Sequence, residues 1–322
     1  MFDKVLGKEK KNWQPNIDSV VPRYLVHKSF VGEVFLSDSC KDSDGSFLLS
    51  AIFPQAHCYY NDSSQKIDVS LLLEVFRQCS IYVSHIFYSI PLDFKFIFDS
   101  AHFNLIDTHC INTKHQYAIV VVKVIEEKIK RGNLNGLILE MSMYCNTQLC
   151  ATKIMDISFL QPKLWQKLRH VAQYVAVEQN EIELIPKEIG GKKLDSNIVV
   201  SDIVCSFDLF YSTIVPNTNH PAFFDHPLDH IPASLLFEAL RQHALIVACK
   251  LLNIPTNCLL LVEVIAEFKS FCEFFNINQC YSKKENIKIR DNQFIIDIEV
   301  VAKETICVVS QLKFSILGGK DD

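Results

Sequence analysis

The sequence lacks the long runs that mark membrane-spanning and polyanion-binding proteins. Its 322 residues contain no charge-free apolar run of the about 18 residues that a membrane-spanning helix needs. They contain no run of Lys and Arg, and the net charge is only −5, so a broad nucleic-acid-binding face is excluded. The first residues, Met1-Phe2-Asp3-Lys4, are charged where a signal peptide has its apolar segment. We therefore expect no secretion signal and a cytoplasmic location.

The sequence also lacks closely spaced cysteine pairs. None of the 12 cysteines forms a Cys-x-x-Cys motif, and the closest spacing is that between Cys145 and Cys150. Structural zinc sites usually have tight ligand pairs, so the sequence predicts no metal site. Cys79, Cys249 and Cys307 lie within apolar runs. We expect buried free thiols in a reducing compartment, without disulfide bonds.

Glycine and proline are scarce, with 9 and 11 residues, whereas 49% of the chain is hydrophobic. The hydrophobic fraction indicates a globular protein and excludes a disordered one. The length predicts about two domains. Few Gly and Pro, with abundant Ile, Asn and Lys, indicate an AT-rich genome.

The chain contains an internal repeat. Residues 71–78 read LLLEVFRQ and residues 235–242 read LLFEALRQ, which share the pattern LLxExxRQ half a chain apart. Each copy begins a long apolar stretch, and these stretches end at Ile90-Pro91 and Ile254-Pro255, at the same offset that separates Glu74 from Glu238. The repeat predicts two halves of similar structure.

Each half predicts one buried helix followed by about four long strands. The helices are predicted over residues 68–90, with Asp68 as N-cap, and over residues 232–253, with Pro232 in the first turn. Both are apolar nearly all round, except for one polar stripe that contains the Glu, Arg and Gln of the repeat. The predicted strands are 94–105, 117–128, 137–144 and 152–160, then 259–271, 281–289, 294–302 and 306–317. These elements predict an α+β fold in which an antiparallel sheet wraps a long buried helix. One helix followed by about four strands is the order of elements expected of a hotdog fold.

Four segments are predicted along the chain. Residues 1–18 are polar and predict a loose N-terminal arm, and residues 19–161 form the first repeat. Residues 162–197 are predicted to form an amphipathic helix and a polar linker, which includes Gly190-Gly191-Lys192-Lys193. Residues 198–322 form the second repeat.

Two motifs carry a resemblance to a known family. Residues 21–28 (VPRYLVHK) and 32–36 (GEVFL) resemble the start of the A-factor biosynthesis (AfsA) family, and AHCYY at 56–60 is also similar. Residues 224–232 (FDHPLDHIP), which continue into LLFEALRQ, resemble the second repeat of that family. The resemblance covers about residues 20–317. The sequence departs from the family pattern at Ala233, where the family has Gly. The methyl group of Ala233 is expected to narrow the space in which a thioester approaches the backbone amides at the helix start.

The resemblance implies a tandem (double) hotdog fold and an acyltransferase of signal metabolism. Such an enzyme condenses a β-ketoacyl chain, carried by an acyl carrier protein, with a small hydroxylated acceptor such as dihydroxyacetone phosphate, toward γ-butyrolactone signals. The expected partners are therefore the acyl carrier protein and the acceptor, with no nucleic acid, and a homodimer is left open. No bound cofactor is expected, since the carrier protein delivers the phosphopantetheine thioester. The AT-rich composition differs from that of GC-rich producers, so the acceptor and product here are expected to differ.

The start of the second helix holds the richest set of polar residues. Glu238 is the first candidate for the base that deprotonates the attacking hydroxyl, and His230 with Asp229 is the second. Backbone N–H groups at the helix start are expected to stabilise the carbonyl oxygen. The candidate substrate-binding residues are Arg241, Gln242, Asp225, His226, Arg77, Glu74 and His57.

A structural role competes with each of these assignments. A buried Glu and Arg three residues apart often form an ion pair, and both repeats have Glu-x-x-Arg-Gln. The turn at Asp225 and His226 is also suited to capping a helix start.

Two other functions remain open from the sequence. One is a hotdog β-hydroxyacyl thioester dehydratase or thioesterase, and a dehydratase would use His57 or His230 together with Glu74 or Glu238. A non-catalytic acyl-ligand sensor would keep the apolar slot but tolerate loss of Glu238.

Overall fold

A computed structural model describes residues 13–63, 67–112, 117–169 and 182–317. These residues divide into two compact units. The first contains residues 13–61, 67–112 and 117–169, and the second contains residues 62–63 and 182–317.

The first unit contains a six-stranded antiparallel sheet. In space the strands follow the order β1-β2-β4-β5-β6-β3. Their bounds are β1 Leu36–Lys41, β2 Phe47–Ile52, β3 Lys95–Leu105, β4 Tyr117–Lys130, β5 Asn133–Cys145 and β6 Gln148–Leu160. Buried and more accessible side chains alternate along β5 and β6, so one face of this part of the sheet is buried. The four long strands predicted in this half are confirmed, but β5 and β6 each begin four residues earlier than predicted.

One long helix packs against this sheet. Helix α1, Val69–Ile86, has 18 residues, and most of its side chains are buried. It contacts β1, β2, β3, β4 and β6. The Asp68 carboxylate accepts a hydrogen bond from the Ser70 N–H at 2.9 Å, so the predicted N-cap is confirmed. Two shorter helices are α2, His109–Asn112, and α3, Pro162–Arg169.

The second unit has the same plan. Its strands are β7 Val204–Ser206, β8 Leu209–Thr213, β9 Leu259–Phe268, β10 Asn278–Lys283, β11 Ile287–Arg290, β12 Gln293–Ala302 and β13 Thr305–Ile316. They are antiparallel in the order β9-β13-β12-β10-β8-β7, and β11 pairs with β12. The strand predicted over 281–289 is divided into β10 and β11 by a short 3₁₀ turn, Lys284–Asn286.

Helix α4, Ala233–Leu252, is the counterpart of α1. It has 20 residues and contacts β8, β10 and β12. Pro232 is its N-cap residue and gives no side-chain hydrogen bond to the first turn. Both long helices begin at or within one residue of their predicted starts.

The segment predicted as a linker is partly buried in the structure. Lys192 is 3% exposed and Asn197 is fully buried, both in the second unit. Residues 170–181, which include the end of the predicted amphipathic helix and the start of the linker, lie outside the described residues. So do residues 1–12 of the predicted N-terminal arm. The domain boundaries therefore stay predictions.

All 12 cysteines are free thiols. Within the described residues, no helix has both the length and the apolar composition needed to cross a bilayer.

Candidate active site

The Glu238 carboxylate lies in a dense cluster of donors on one side of α4. Arg241 binds it with two nitrogens, Nε to Oε2 at 3.0 Å and Nη2 to Oε1 at 2.6 Å. Gln242 Nε2 donates to Oε1 at 2.6 Å, and Lys192 Nζ lies 3.7 Å from the same oxygen. The spacings of three and four residues along α4 place the carboxylate, guanidinium and amide on one helix face. Glu238 is 1% exposed, and Arg241 and Lys192 place two positive charges beside its buried carboxylate.

Gln242 ties α4 to the buried segment at residues 197–199. Its Nε2 donates to the Asn197 carbonyl at 2.8 Å, and its Oε1 accepts from the Val199 N–H at 3.0 Å. The Asn197 side chain extends the network, because its Nδ2 donates to Asp62 at 2.6 Å and its Oδ1 lies 2.7 Å from His220 Nε2. Gln242 thus satisfies backbone groups that have no place in the sheet.

The first unit contains a second copy of this cluster. Glu74 accepts from Arg77 Nε at 2.7 Å, from Arg77 Nη2 at 2.8 Å and from Gln78 Nε2 at 2.8 Å, with Lys28 Nζ at 3.3 Å. Gln78 donates to the Glu33 carbonyl at 2.7 Å and accepts from the Phe35 N–H at 2.9 Å. Burial raises the pKa of Glu74, but Arg77 and Lys28 outweigh it and hold the pKa well below its ordinary value. Glu74 is therefore a permanent anion and a weak base.

The two clusters correspond residue by residue. Four further pairs share the sequence offset that separates Glu74 from Glu238: Lys28 with Lys192, Phe35 with Val199, Arg77 with Arg241, and Gln78 with Gln242. Glu33 corresponds to Asn197 in the same way, so an acidic residue in the first cluster is neutral in the second.

Sequence reasoning missed Lys192, Asn197 and His220 as members of the site. For Lys192 and Asn197, the signal was the sequence offset that separates Glu74 from Glu238. Residues 21–28 (VPRYLVHK) align with residues 185–192 (IPKEIGGK), which share an apolar residue, Pro, a basic residue and the final Lys. His27 and Gly191, one residue before each Lys, both have a positive φ, 54° and 69°. The Gly-Gly-Lys-Lys sequence favoured the interpretation as a linker, because glycine is typical of flexible segments. Glycine also fits a left-handed backbone position, and Gly191 occupies such a position here.

His57 is held within the first cluster. Its Nδ1 accepts from the N–H groups of Tyr59 and Tyr60, both at 3.2 Å. The proton is therefore on Nε2, which donates to Glu33 Oε1 at 3.0 Å. Both ring nitrogens are engaged inside the protein.

A different arrangement precedes α4. Asp229 Oδ1 accepts from His230 Nδ1 at 2.6 Å, and Asp225 Oδ1 accepts from His226 Nδ1 at 2.5 Å. The side chain of His230 is 22% exposed, and its ring lies 4.8 Å from that of Phe271. An Asp that accepts a hydrogen bond from Nδ1–H fixes the neutral imidazole in the tautomer whose lone pair is on Nε2, which is the form that acts as a base.

The two long helices differ at their first turns. At α1 the Asp68 carboxylate occupies the Ser70 N–H, whereas Pro232 gives α4 no side-chain cap. The N–H groups of the first turn of α4, Ala233 and Ser234, carry the positive end of the helix dipole. At α4, therefore, the Asp229–His230 pair lies just before a first turn to which the N-cap residue gives no side-chain hydrogen bond.

A buried lysine lies near the Glu74 cluster. Lys153, on β6, is 2% exposed, and its Nζ is 5.1 Å from the centroid of the Phe98 ring. Burial lowers the pKa of Lys153 to about 7, against the attraction of Glu74. The described residues contain no group of three or more His, Cys, Asp and Glu side chains arranged to hold a metal ion.

Comparison with known proteins defines the class. The model of the A-factor biosynthesis hotdog domain (AfsA) matches residues 11–161 and 175–316. The chain therefore belongs to the AfsA family of hotdog-domain proteins, as the motifs at residues 21–36 and 224–242 indicated.

Particular relatives extend this comparison. The 2-oxo-3-(phosphooxy)propyl 3-oxoalkanoate synthase of Streptomyces virginiae is 28% identical over 277 residues, which cover 85% of this chain and 90% of that protein. The synthase of the same name from Streptomyces coelicolor is 25% identical over 256 residues, 78% of this chain and 80% of that protein. Among solved structures, the acyl-CoA thioesterase II TesB2 of Mycobacterium marinum is similar with a TM-score of 0.48 and 8% identity, covering 93% of this chain and 99% of that one.

Proposed function

We propose that this protein transfers a 3-oxoacyl group from an acyl carrier protein thioester to the hydroxyl of dihydroxyacetone phosphate. The product would be a 2-oxo-3-(phosphooxy)propyl 3-oxoalkanoate, the compound for which the relatives are named. Membership in the AfsA family over nearly the whole chain is the observation that carries this proposal. The phosphopantetheine thioester would arrive on the carrier protein, which makes that protein the expected partner.

The proposed fold is a tandem hotdog, with α1 and α4 as the central helices of its two repeats. The correspondence of the two clusters and the packing of each helix on its own sheet support it. Because Lys192 and Asn197 serve the Glu238 cluster, the second repeat would begin near Leu184 rather than at residue 198.

The proposed reaction centre is the start of α4. His230, oriented by Asp229, would accept the proton of the attacking hydroxyl through Nε2. The N–H groups of Ala233 and Ser234 would stabilise the negative charge that develops on the thioester oxygen. The methyl group of Ala233 would limit how closely that oxygen approaches the backbone. His226, with 38% of its side chain exposed, and Asp225 remain candidates for binding the acceptor.

Glu238 is assigned a positioning role rather than that of the base. Its two oxygens accept three hydrogen bonds and its side chain is buried, so proton acceptance would cost the pairing with Arg241. We assign the same role to Glu74. The predicted substrate-binding roles of Arg77, Arg241, Gln242 and His57 stay predictions. In the structure these side chains bind the glutamates of their own clusters, and Gln242 and His57 also bind backbone groups.

The test is direct detection of the product. Purified protein is incubated with a 3-oxoacyl carrier protein and dihydroxyacetone phosphate, and the phosphorylated ester is identified by mass spectrometry. We expect the ester to accumulate as free carrier-protein thiol is released in equal amount. Release of free 3-oxo acid alone, with no ester at any acceptor concentration, would instead establish a thioesterase.

A further inference from the structure

The first unit encloses a lysine side chain that lacks the usual partners of a buried charge. Lys153 is the sixth residue of β6 and is 2% exposed. Within the part of the chain that the structure describes, no hydrogen bond or ion pair involves its Nζ, which lies 5.1 Å from the centroid of the Phe98 ring. Burial without an acceptor disfavours the ammonium form, so the structure favours the neutral amine, which is a nucleophile.

The surroundings of Lys153 are apolar. Strand pairing places Phe103 on β3 and Met141 on β5 directly opposite Lys153, and both are fully buried. Cross-strand partners lie on the same face of a sheet, so these two side chains flank the lysine. The ring of Phe76, on α1, contacts that of Phe103, with the ring centroids 6.3 Å apart. The amine therefore lies on the face of the sheet that α1 covers.

The second unit has a serine at the corresponding position. Ser310 is the sixth residue of β13, and it pairs with Ile298 on β12 as Lys153 pairs with Met141 on β5. The Ser310 hydroxyl donates to the Ile298 carbonyl at 2.8 Å, so its polar group is satisfied within the sheet. The fold therefore does not require a lysine here. The cost of burying one without an acceptor indicates a role other than packing.

Phe98 connects the amine with the surface. Its ring faces Nζ, and the residue is only partly buried. The pairing of β3 with β6 shifts register between Phe98 and Ser100, which interrupts the regular ladder beside this ring. Rotation of one ring would therefore open a route to the amine for a small molecule.

The chemistry of such an amine is addition to carbonyl groups. Burial lowers the pKa of Lys153 to about 7, against the attraction of Glu74, so a large fraction of the amine is neutral at neutral pH. Desolvated lysines of this kind form imines, or Schiff bases, with ketones. No carbonyl compound other than a ketone or aldehyde forms an imine readily, so the group that Lys153 recognises is of that class.

We propose that Lys153 is a covalent binding site for the ketone of 3-oxoacyl compounds. The amine would add to the ketone carbon, and loss of one water would leave a C=N bond to Nζ. Hydrolysis would reverse both steps. The choice of ketone rests on the proposed function, in which a 3-oxoacyl chain is the substrate. The apolar surroundings also suit such a chain better than a phosphorylated ketone.

The experiment uses the full chain at neutral pH, with ethyl acetoacetate as the 3-oxoacyl probe. Cyanoborohydride delivers hydride to the imine and fixes the probe to Nζ as a secondary amine, which peptide mapping locates. We expect Lys153 to be labelled at least about tenfold faster than any exposed lysine, because exposed lysines are almost fully protonated at neutral pH. Unfolding in urea should abolish this difference.

Two variants identify the labelled residue. Lys153→Met should lose the fast label, whereas Lys123→Met, the matched control at an exposed position in the same unit, should keep it. Melting temperatures of both variants confirm folding. Labelling of Lys153 no faster than that of exposed lysines in the folded protein would overturn the proposal. So would a fast label that persists in Lys153→Met.

A second probe distinguishes the source of the ketone. Dihydroxyacetone phosphate should label Lys153 at least about tenfold more slowly than ethyl acetoacetate, because its phosphate would have to be buried. Equal or faster labelling by this probe would overturn the assignment to 3-oxoacyl compounds.

Trapping requires neither a carrier protein nor turnover, so its outcome is separate from that of the transfer assay. Fast labelling of Lys153 in a protein that makes no ester would uphold the covalent site and refute only the transferase. Ester formation by a folded protein that is not labelled at Lys153 would overturn the covalent site and leave the transferase in place.

Discussion

Lys192 Nζ lies 3.7 Å from Glu238 Oε1, and both side chains are completely buried. Lys28 Nζ lies 3.3 Å from Glu74 Oε1 in the first unit, so the same pairing is present twice. A buried carboxylate surrounded by a lysine, an arginine and an amide is held as an anion. It is suited to fixing a helix in position, and poorly suited to accepting a proton during catalysis.

The first prediction concerns Glu238→Gln. The substitution leaves Lys192 and Arg241 buried without their counterion, so the free energy of unfolding should fall by about 3–5 kcal/mol in urea titration. Glu267→Gln is the matched control, since the Glu267 side chain is 65% exposed and lies 3.9 Å from Lys269 Nζ in a surface ion pair. It should change stability by less than about 1 kcal/mol. Unchanged stability of Glu238→Gln, with transfer abolished, would return the role of base to Glu238.

A second substitution tests the pairing itself. Adding Lys192→Met to Glu238→Gln removes one of the two uncompensated cations, so part of the lost stability should return. A double-mutant cycle on purified proteins measures this coupling. Strictly additive losses would contradict an interaction between the two side chains.

The third prediction concerns pH and Lys153. Its pKa is lowered by burial from 10.5 to about 7, so between these values the unfolded chain binds a proton that the folded chain does not. Stability should therefore rise with pH across this window and be lost as pH falls toward 7. Lys153→Met should flatten the rise and stabilise the protein at pH 7. Urea titrations at pH 7 and pH 10 compare the two proteins, and an equal rise in both would refute the assignment.

The fourth prediction concerns the start of α1. Asp68→Ala removes the cap on the Ser70 N–H and should cost about 1 kcal/mol of stability. Specific transfer activity of the folded fraction should not change, because the reaction is assigned to α4. Loss of activity at unchanged stability would place a reaction centre in the first unit.

Much of the fold could be predicted from the sequence because local sequence patterns determine its main helices and strands. The LLxExxRQ repeat marks both long helices, and Asp68 and Pro232 mark where they begin. The division of the strand predicted over 281–289 was missed, although the residues of the turn, Lys284-Glu285-Asn286, are all polar.

The candidate site was harder to predict, because its members are brought together by tertiary contacts. Lys192 follows two glycines, a sequence that is equally typical of a flexible linker, and its buried ion pair with Glu238 is a tertiary contact. The repeat offset places the counterpart of His57 one residue after His220. An alignment of the two halves at an exact offset therefore does not pair these histidines. The Asp229–His230 pair, by contrast, is formed by adjacent residues and was visible in the sequence.

The most direct measurement is the rate of 3-oxoacyl transfer to dihydroxyacetone phosphate by His230→Gln. Loss of the proton acceptor should lower the rate by about 10²–10⁴-fold, with little change in melting temperature because His230 is partly exposed. His109→Gln, at an exposed position in the first unit, is the matched control and should retain the wild-type rate. A His230→Gln rate within about threefold of wild type, in a protein of unchanged stability, would contradict the assignment of the reaction to the start of α4.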